Sequence, residues 1–212
     1  MVPRIALIGF SGSGKSLIGR ILARRLGWRV IDTDREIEAQ LGLPVPQIFV
    51  ERGEEEFREL ETAVLREAVE RSQVVISTGG GAVLSAKNRE LLARCLIVSL
   101  EATADTVYAR LSRNPASLAQ RPLLQGGDPL RKIREILAHR QPFYAVADVK
   151  LDTGEGTPAA VAERIREAWQ GWNPGLAEDK GRLERILAVG EAREGEAPYT
   201  DHHAGEVDAH VG

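Results

Sequence analysis

Near its amino terminus the chain reads GFSGSGKS, Gly9 to Ser16, directly after the apolar run Ile5–Ile8. Glycine, four residues, glycine, lysine and serine form the pattern of a phosphate-binding loop. Glycine lets the backbone turn tightly and bring its N–H groups up to phosphate oxygens with no Cβ between them. The apolar positions Leu17, Ile18, Ile21 and Leu22 recur at helical spacing after the loop. A helix starting there adds unpaired N–H donors and a partial positive charge. Gly12, Ser13, Gly14, Lys15, Ser16 and Leu17 are therefore candidate nucleotide-binding residues. Lys15 supplies charge at the β- and γ-phosphates, and the Ser16 hydroxyl is placed to ligate Mg²⁺. The competing reading is a flexible glycine turn between a strand and a helix.

The apolar runs alternate with helical patterns for most of the chain. Strands are predicted at Ile5–Ile8, Trp28–Ile31, Val74–Ser77, Leu96–Ser99 and Val149–Leu151. Helices are predicted at Lys15–Leu26, Asp34–Gln40, Glu54–Arg71, Ala86–Arg94, Ala104–Leu111, Asp128–Arg140 and Pro158–Gln170. Alternation of this kind implies a parallel sheet covered on both faces. The expected fold is a P-loop NTPase three-layer α/β/α sandwich with a five-stranded parallel sheet. Ligands of such sheets bind beyond the carboxyl ends of the strands, where every motif below falls.

The balance of charge limits the partners. A formal net charge of −3 lacks the basic surplus of a general nucleic-acid binder. Residues 1–172 hold 24 basic and 22 acidic residues, whereas residues 173–212 hold 4 and 9. No run approaches the roughly 18 apolar residues of a membrane span. The start, MVPR followed by a strand-like run, is too short for a cleavable signal. A cytoplasmic location is expected. Cys95, the only cysteine, lies in the apolar run CLIVSL and reads as a buried structural thiol.

Beyond the loop, four groups of residues carry possible chemistry, each with a plainer alternative. Asp32 and Asp34 end the second strand, where residues two apart point to one side. Thr33 with Glu36 also fits a helix capping box. Arg58 has Glu54 four residues before it and Glu61 three after, an arrangement equally typical of a surface ion-pair ladder. Gly79, Gly80 and Gly81 follow the third strand and suit close backbone approach to a small polar ring, or form a loop. Arg140 stands before Gln141 and Pro142, where a basic residue also favours a helix end. The segment from Arg113 to Asp128 has no periodicity, and a loop of that length is functional or disordered.

Taken together, the P-loop, Asp-Thr-Asp after the second strand, FRELE (Phe57–Glu61), STGGGAV (Ser77–Val83), RPLL (Arg121–Leu124) and RQPFY (Arg140–Tyr144) resemble the shikimate kinase family. The resemblance covers most of residues 3–171, with the motifs in the family's order. It implies transfer of phosphate from MgATP to the 3-hydroxyl of shikimate, a step of chorismate and aromatic amino-acid biosynthesis. It also implies that Asp34 contacts the substrate hydroxyls and assists the attacking one, and that Asp32 holds Mg²⁺ through water. Arg58 and Arg140 would bind the substrate carboxylate, with Glu61 orienting Arg58, and the three glycines would line the substrate. The Arg113–Asp128 segment would be a lid, with Arg121 reaching the transferred phosphate. Arg113 and Pro158 would flank the adenine, and Arg110 competes with Arg113 for that place. Lys15, Asp34 and Arg121 would be catalytic. The protein is expected to act as a monomer with shikimate and ATP as its only ligands besides Mg²⁺.

Family members end near Trp169–Trp172, so residues 1–172 are expected to form the kinase domain and residues 173–212 an acidic, dispensable extension. Within it, Leu183, Ile186 and Leu187 fit one short amphipathic helix. Beyond Gly190 the composition reads as disordered. Asp201, His202, His203, Glu206, Asp208 and His210 form a compositional cluster, for which a metal site is one reading. Two other functions share the loop and the sheet. One is a related small-molecule kinase of gluconate or nucleoside-monophosphate type; the other is a nucleotide-binding regulator without catalysis.

Overall fold

A computed structural model describes residues 3–113, 124, 127–173, 175 and 179–189. Five strands form one sheet: β1 (Arg4–Ile8), β2 (Arg29–Asp32), β3 (Val74–Ser77), β4 (Leu96–Glu101) and β5 (Val149–Asp152). Their order is β2-β3-β1-β4-β5, and every pairing is parallel. The helices are α1 (Lys15–Leu26), α2 (Thr33–Leu41), α3 (Val45–Glu70), α4 (Ala86–Leu92), α5 (Ala104–Ser112), α6 (Pro129–Tyr144), α7 (Pro158–Gly171) and α8 (Lys180–Ala188). This is the three-layer architecture expected from the sequence. No helix among the described residues is long and apolar enough to cross a membrane.

The two-residue period of a strand explains the layering. Ala6, Ile8, Val74, Ile76 and Ile97 face one side, where α3, α4, α5, α6 and α8 bury Leu65, Leu92, Val107, Ile133 and Ile186 against them. Ile5, Leu7, Val75, Leu96 and Val98 face the other, against Ile18 and Leu22 of α1 and Val161 and Ile165 of α7. The central strands are buried on both faces, so they read as unbroken aliphatic runs. Cys95 is fully buried, and that burial pushes its thiol up to about 12.

A third, smaller core lies apart from the sheet. Ile37 of α2 packs with Ile48, Phe57 and Val64 of α3. This subunit of packing contains two departures from the sequence expectation. Asp32, rather than Thr33, caps α2: its carboxylate accepts from the Arg35 N–H at 3.4 Å. The Thr33 hydroxyl is drawn away because it accepts instead from the Gly79 N–H at 3.0 Å. In addition, α3 begins at Val45, well before the predicted Glu54, and breaks at Gly53 (φ 83°, ψ 171°). Pro44 and Pro46 disguise that start, although a first turn tolerates proline because its N–H groups have no helical acceptor.

Candidate active site

The phosphate-binding loop connects β1 to α1, as the strand–loop–helix pattern requires. Gly9, Gly12 and Gly14 all have positive φ, and Gly14 caps α1. A Cβ on Gly9 would stand 2.4 Å from the Leu100 carbonyl oxygen, so the sheet itself demands glycine there. Lys15 is buried, and its Nζ donates to the carbonyls of Gly9 at 2.7 Å and Phe10 at 2.9 Å. Ser16 is half-buried in the first turn of α1, and Leu17 is exposed. Ser13 is fully buried, and its hydroxyl has no hydrogen-bond partner among the described residues.

Arg110 of α5 lies over the same loop. Its Nη1 donates to the carbonyls of Gly12 at 3.4 Å and Ser13 at 3.3 Å and to the Thr153 hydroxyl at 2.9 Å. Its Nη2 donates to the Thr153 carbonyl. Arg113 is exposed at the end of α5, and Pro158 occupies the first turn of α7 after the Thr157 cap. Of the two arginines weighed beside the adenine, Arg110 is the one bonded to the loop.

The glycine run after β3 is enclosed by charge. A Cβ on Gly79 would lie 2.5 Å from Glu61 Oε1 and 2.7 Å from Asp34 Oδ1. One on Gly81 would lie 2.8 Å from Arg58 Nη2, and one on Gly80 3.6 Å from Arg140 Nη1. Two carboxylates and two guanidinium groups thus converge on three residues without side chains. The backbone is anchored from behind: the Tyr144 hydroxyl donates to the Gly80 carbonyl at 2.7 Å. Burial pushes that phenol up to about 12, so it remains a donor.

Arg58 links the two glutamates around it. Nη1 bonds Glu61 Oε2 at 3.0 Å, and Nη2 bonds Glu54 Oε1 at 3.0 Å. Its guanidinium also sits over the rings of Phe57 and Phe49, at 5.4 and 6.0 Å. This is no solvated ladder, because Glu61 is fully buried. Arg140 is buried as well, 6.0 Å from the Phe10 ring.

The carboxylates are electrostatically unusual. Desolvation raises Asp34 above the ordinary aspartate value, and nearby Asp32 adds to it, while Lys15 and Arg58 oppose the rise. Burial pushes Glu61 up to about 7 against the pull of Arg58, with Asp34 reinforcing the rise. The folded value exceeds the ordinary 4.5, so the folded state binds the extra proton. Its stabilising contribution is fully present below the unfolded value and is lost as pH rises through the folded one. Thermal stability should therefore fall between about pH 5 and about pH 8, and Glu61→Gln should flatten that slope in melting experiments. An unchanged slope would show that Glu61 is ionised throughout.

Thr33, Asn88 and Tyr144 hold this site without having been singled out for it. The Asn88 amide donates to the Ala82 carbonyl at 3.0 Å and reaches Glu61 Oε2 at 3.5 Å. Tyr144 stands in the RQPFY motif, whereas Asn88 has no local signal in the sequence. Arg121, most of the predicted lid and the Asp201–His210 cluster lie outside the described residues.

Comparison with known proteins identifies the family. The family model described as Shikimate kinase matches residues 11–170. Shikimate kinase of Moorella thermoacetica is 46% identical over 173 residues, covering 81% of this chain and 97% of that protein. Shikimate kinase of Symbiobacterium thermophilum is 44% identical over 168 residues, covering 78% and 95%. Among solved structures, shikimate kinase from Acinetobacter baumannii in complex with shikimate superposes with a TM-score of 0.75 at 38% identity, covering 81% of this chain and 94% of that one. The family model spans most of the chain and these relatives are matched over nearly their whole length, so the chain belongs to the shikimate kinase family.

Proposed function

We propose that this shikimate kinase holds its acceptor over Gly79–Gly81 and moves the γ-phosphoryl group of ATP onto the 3-hydroxyl from the P-loop side. The observation that carries this reading is the convergence of Asp34, Arg58 and Arg140 on the glycine run. Shikimate is a compact ring bearing one carboxylate and several hydroxyls. A planar guanidinium meets two carboxylate oxygens with two N–H groups, so Arg58 and Arg140 form the carboxylate end. The Asp34 carboxylate then faces the hydroxyls.

The β- and γ-phosphates lie along the loop, where Lys15 and the α1 amino terminus meet their charge. Asp34 orients the attacking hydroxyl and accepts its proton, a task helped by a basicity raised through burial. Arg110 supports the nucleotide side of the loop, and Pro158 is assigned to the adenine side through the family resemblance. Arg121 is assigned, through the family resemblance, to the charge that builds on the transferring group. Because catalysis of this kind rests on positioning, no covalent enzyme intermediate is needed.

A divalent ion fits the donors. Ser16 and Asp32 offer hard oxygens beside the loop, and among the described residues no group of three or more His, Cys, Asp or Glu could hold a metal alone. That donor set suits Mg²⁺, which takes few protein ligands and completes its shell with phosphate oxygens and water. When bound, it neutralises phosphate charge. Through the family resemblance, Asp32 is assigned to hold the ion by way of water. The cytoplasm and a monomeric state complete the proposal.

The test is ADP release from MgATP with shikimate, gluconate or no acceptor. Stimulation by shikimate alone is expected. ADP release that ignores the acceptor, or prefers gluconate, would overturn the assignment of the glycine run.

A further inference from the structure

The carboxyl-terminal helix α8 lies beyond the segment matched by the family, yet it is tied into the molecule by two buried arginines. Arg182 of α8 is 4% exposed. Its Nε and Nη2 grip both oxygens of Asp148, each at 2.7 Å, and Nη2 also donates to the Cys95 carbonyl at 2.9 Å. Asp148 in turn accepts from the Ile97 N–H at 2.8 Å at the start of β4. A charge pair this enclosed is costly to break from one side, because the partner stays buried without it.

The second arginine, Arg89 of α4, faces two ways. On one side Nε donates to the Ile186 carbonyl at 3.1 Å and Nη2 to the Leu187 carbonyl at 3.4 Å. These are last-turn carbonyls of α8, which have no acceptor role within the helix. On the other side Nη1 donates to the carbonyls of Val83 and Leu84, each at 3.0 Å. Val83 and Leu84 belong to the one-turn 3₁₀ helix Ala82–Leu84 that follows the glycine run. That turn is bonded back to the run: the Ala82 N–H donates to the Gly79 carbonyl at 3.2 Å and the Leu84 N–H to the Gly81 carbonyl at 3.0 Å. Asn88, the residue before Arg89, reaches Glu61, the partner of Arg58.

We infer that Arg89 is a positioning residue through which docked α8 holds the Gly79–Gly81 run in its substrate-binding shape. One planar guanidinium spans the end of α8 and the turn after the glycines, so undocking α8 releases one half of its bonds and loosens the support of the other half. The extension is thereby part of the acceptor site's foundation, in contrast to the dispensable tail expected from the sequence. These bonds of Arg89 reach the turn after the glycines, whereas the P-loop meets the run from its other end, at Gly80 beside the Ser11 N–H, so shikimate binding should depend on them more than ATP binding. The inference rests on the glycine run being the acceptor subsite.

Coupling between two sites is reciprocal: if docked α8 favours shikimate binding, shikimate must favour docked α8. Amide hydrogen exchange on the intact chain tests this without any substitution. Saturating shikimate should slow exchange in residues 79–84 and also in α8, while ATP with Mg²⁺ should slow α8 far less. Slowing in residues 79–84 with none in α8 would overturn the inference and leave the subsite standing. No slowing in either would remove the subsite and the inference with it. A chain ending at Trp172 gives the kinetic counterpart: KM for shikimate should rise about tenfold while KM for ATP stays near its original value. A peptide of residues 173–189 added in trans should reverse the rise. Two unchanged KM values, or two that rise together, would overturn the positioning role. Should the shortened chain fail to fold, the exchange result on the intact chain decides alone.

Discussion

Asp34→Asn is expected to lower kcat by about two to four orders of magnitude, the range for loss of a positioned proton acceptor. Asparagine keeps the size of the side chain and one acceptor oxygen, so the acceptor hydroxyl can still be placed. What disappears is the group that takes the proton as the oxygen attacks phosphorus. The P-loop is untouched, since the Lys15 ammonium bonds the Gly9 and Phe10 carbonyls. ATP affinity, measured by calorimetry, should therefore remain close to that of the unaltered protein. The raised basicity of Asp34 adds a second signature, because activity falls as pH drops through the carboxyl's folded value. Near-normal turnover by the asparagine variant would remove Asp34 from proton transfer and leave it at most a hydroxyl ligand.

Arg58→Ala should raise KM for shikimate by about two orders of magnitude, in line with the several kcal/mol lost when one partner of a buried charge pair is truncated. KM for ATP should change far less. The expected result depends on what becomes of Glu61, which loses its bond of 3.0 Å to Arg58. Its carboxyl is already pushed up to about 7, and without the guanidinium it takes up a proton instead of remaining as a buried anion. The fold survives for that reason, and the loss shows in substrate binding. If both KM values rose equally, Arg58 would be a structural residue of the small α2–α3 core. Parallel melting curves separate that outcome from general destabilisation.

The sheet was legible because its chemistry is local. Strands such as β1, β3 and β4 are covered on both faces, and each appears in the sequence as an uninterrupted apolar run with a turn signal after it. The amphipathic spacing of Leu183, Ile186 and Leu187 likewise gave α8. The first part of α3 was hidden by two prolines whose helical tolerance depends on lying in the first turn. In the site, glycines announced themselves through their number and position after strands. Glu61 was marked by its spacing to Arg58 and by the resemblance, and its burial follows from sharing a helix face with Phe57, Val64 and Leu65. The bonds from Thr33 to Gly79 and from Tyr144 to Gly80 join positions 46 and 64 residues apart, and no local pattern records them. The same holds for Arg89, whose partners in α8 lie 97 and 98 residues away.

Lys15 brings a further consequence. Its side chain is 7% exposed, and its ammonium is held by two loop carbonyls. The dehydration of that cation is thus accomplished during folding, before any nucleotide arrives. Arrival of a phosphate exchanges one set of oxygen partners for another, with little water left to strip from the charge. Loop and lysine are matched in advance to a polyanion, which is how preorganised sites turn charge into affinity. Replacing Lys15 by an uncharged residue would consequently leave the Gly9 and Phe10 carbonyls short of a donor, and such a variant's lost activity would have to be separated from a weakened loop.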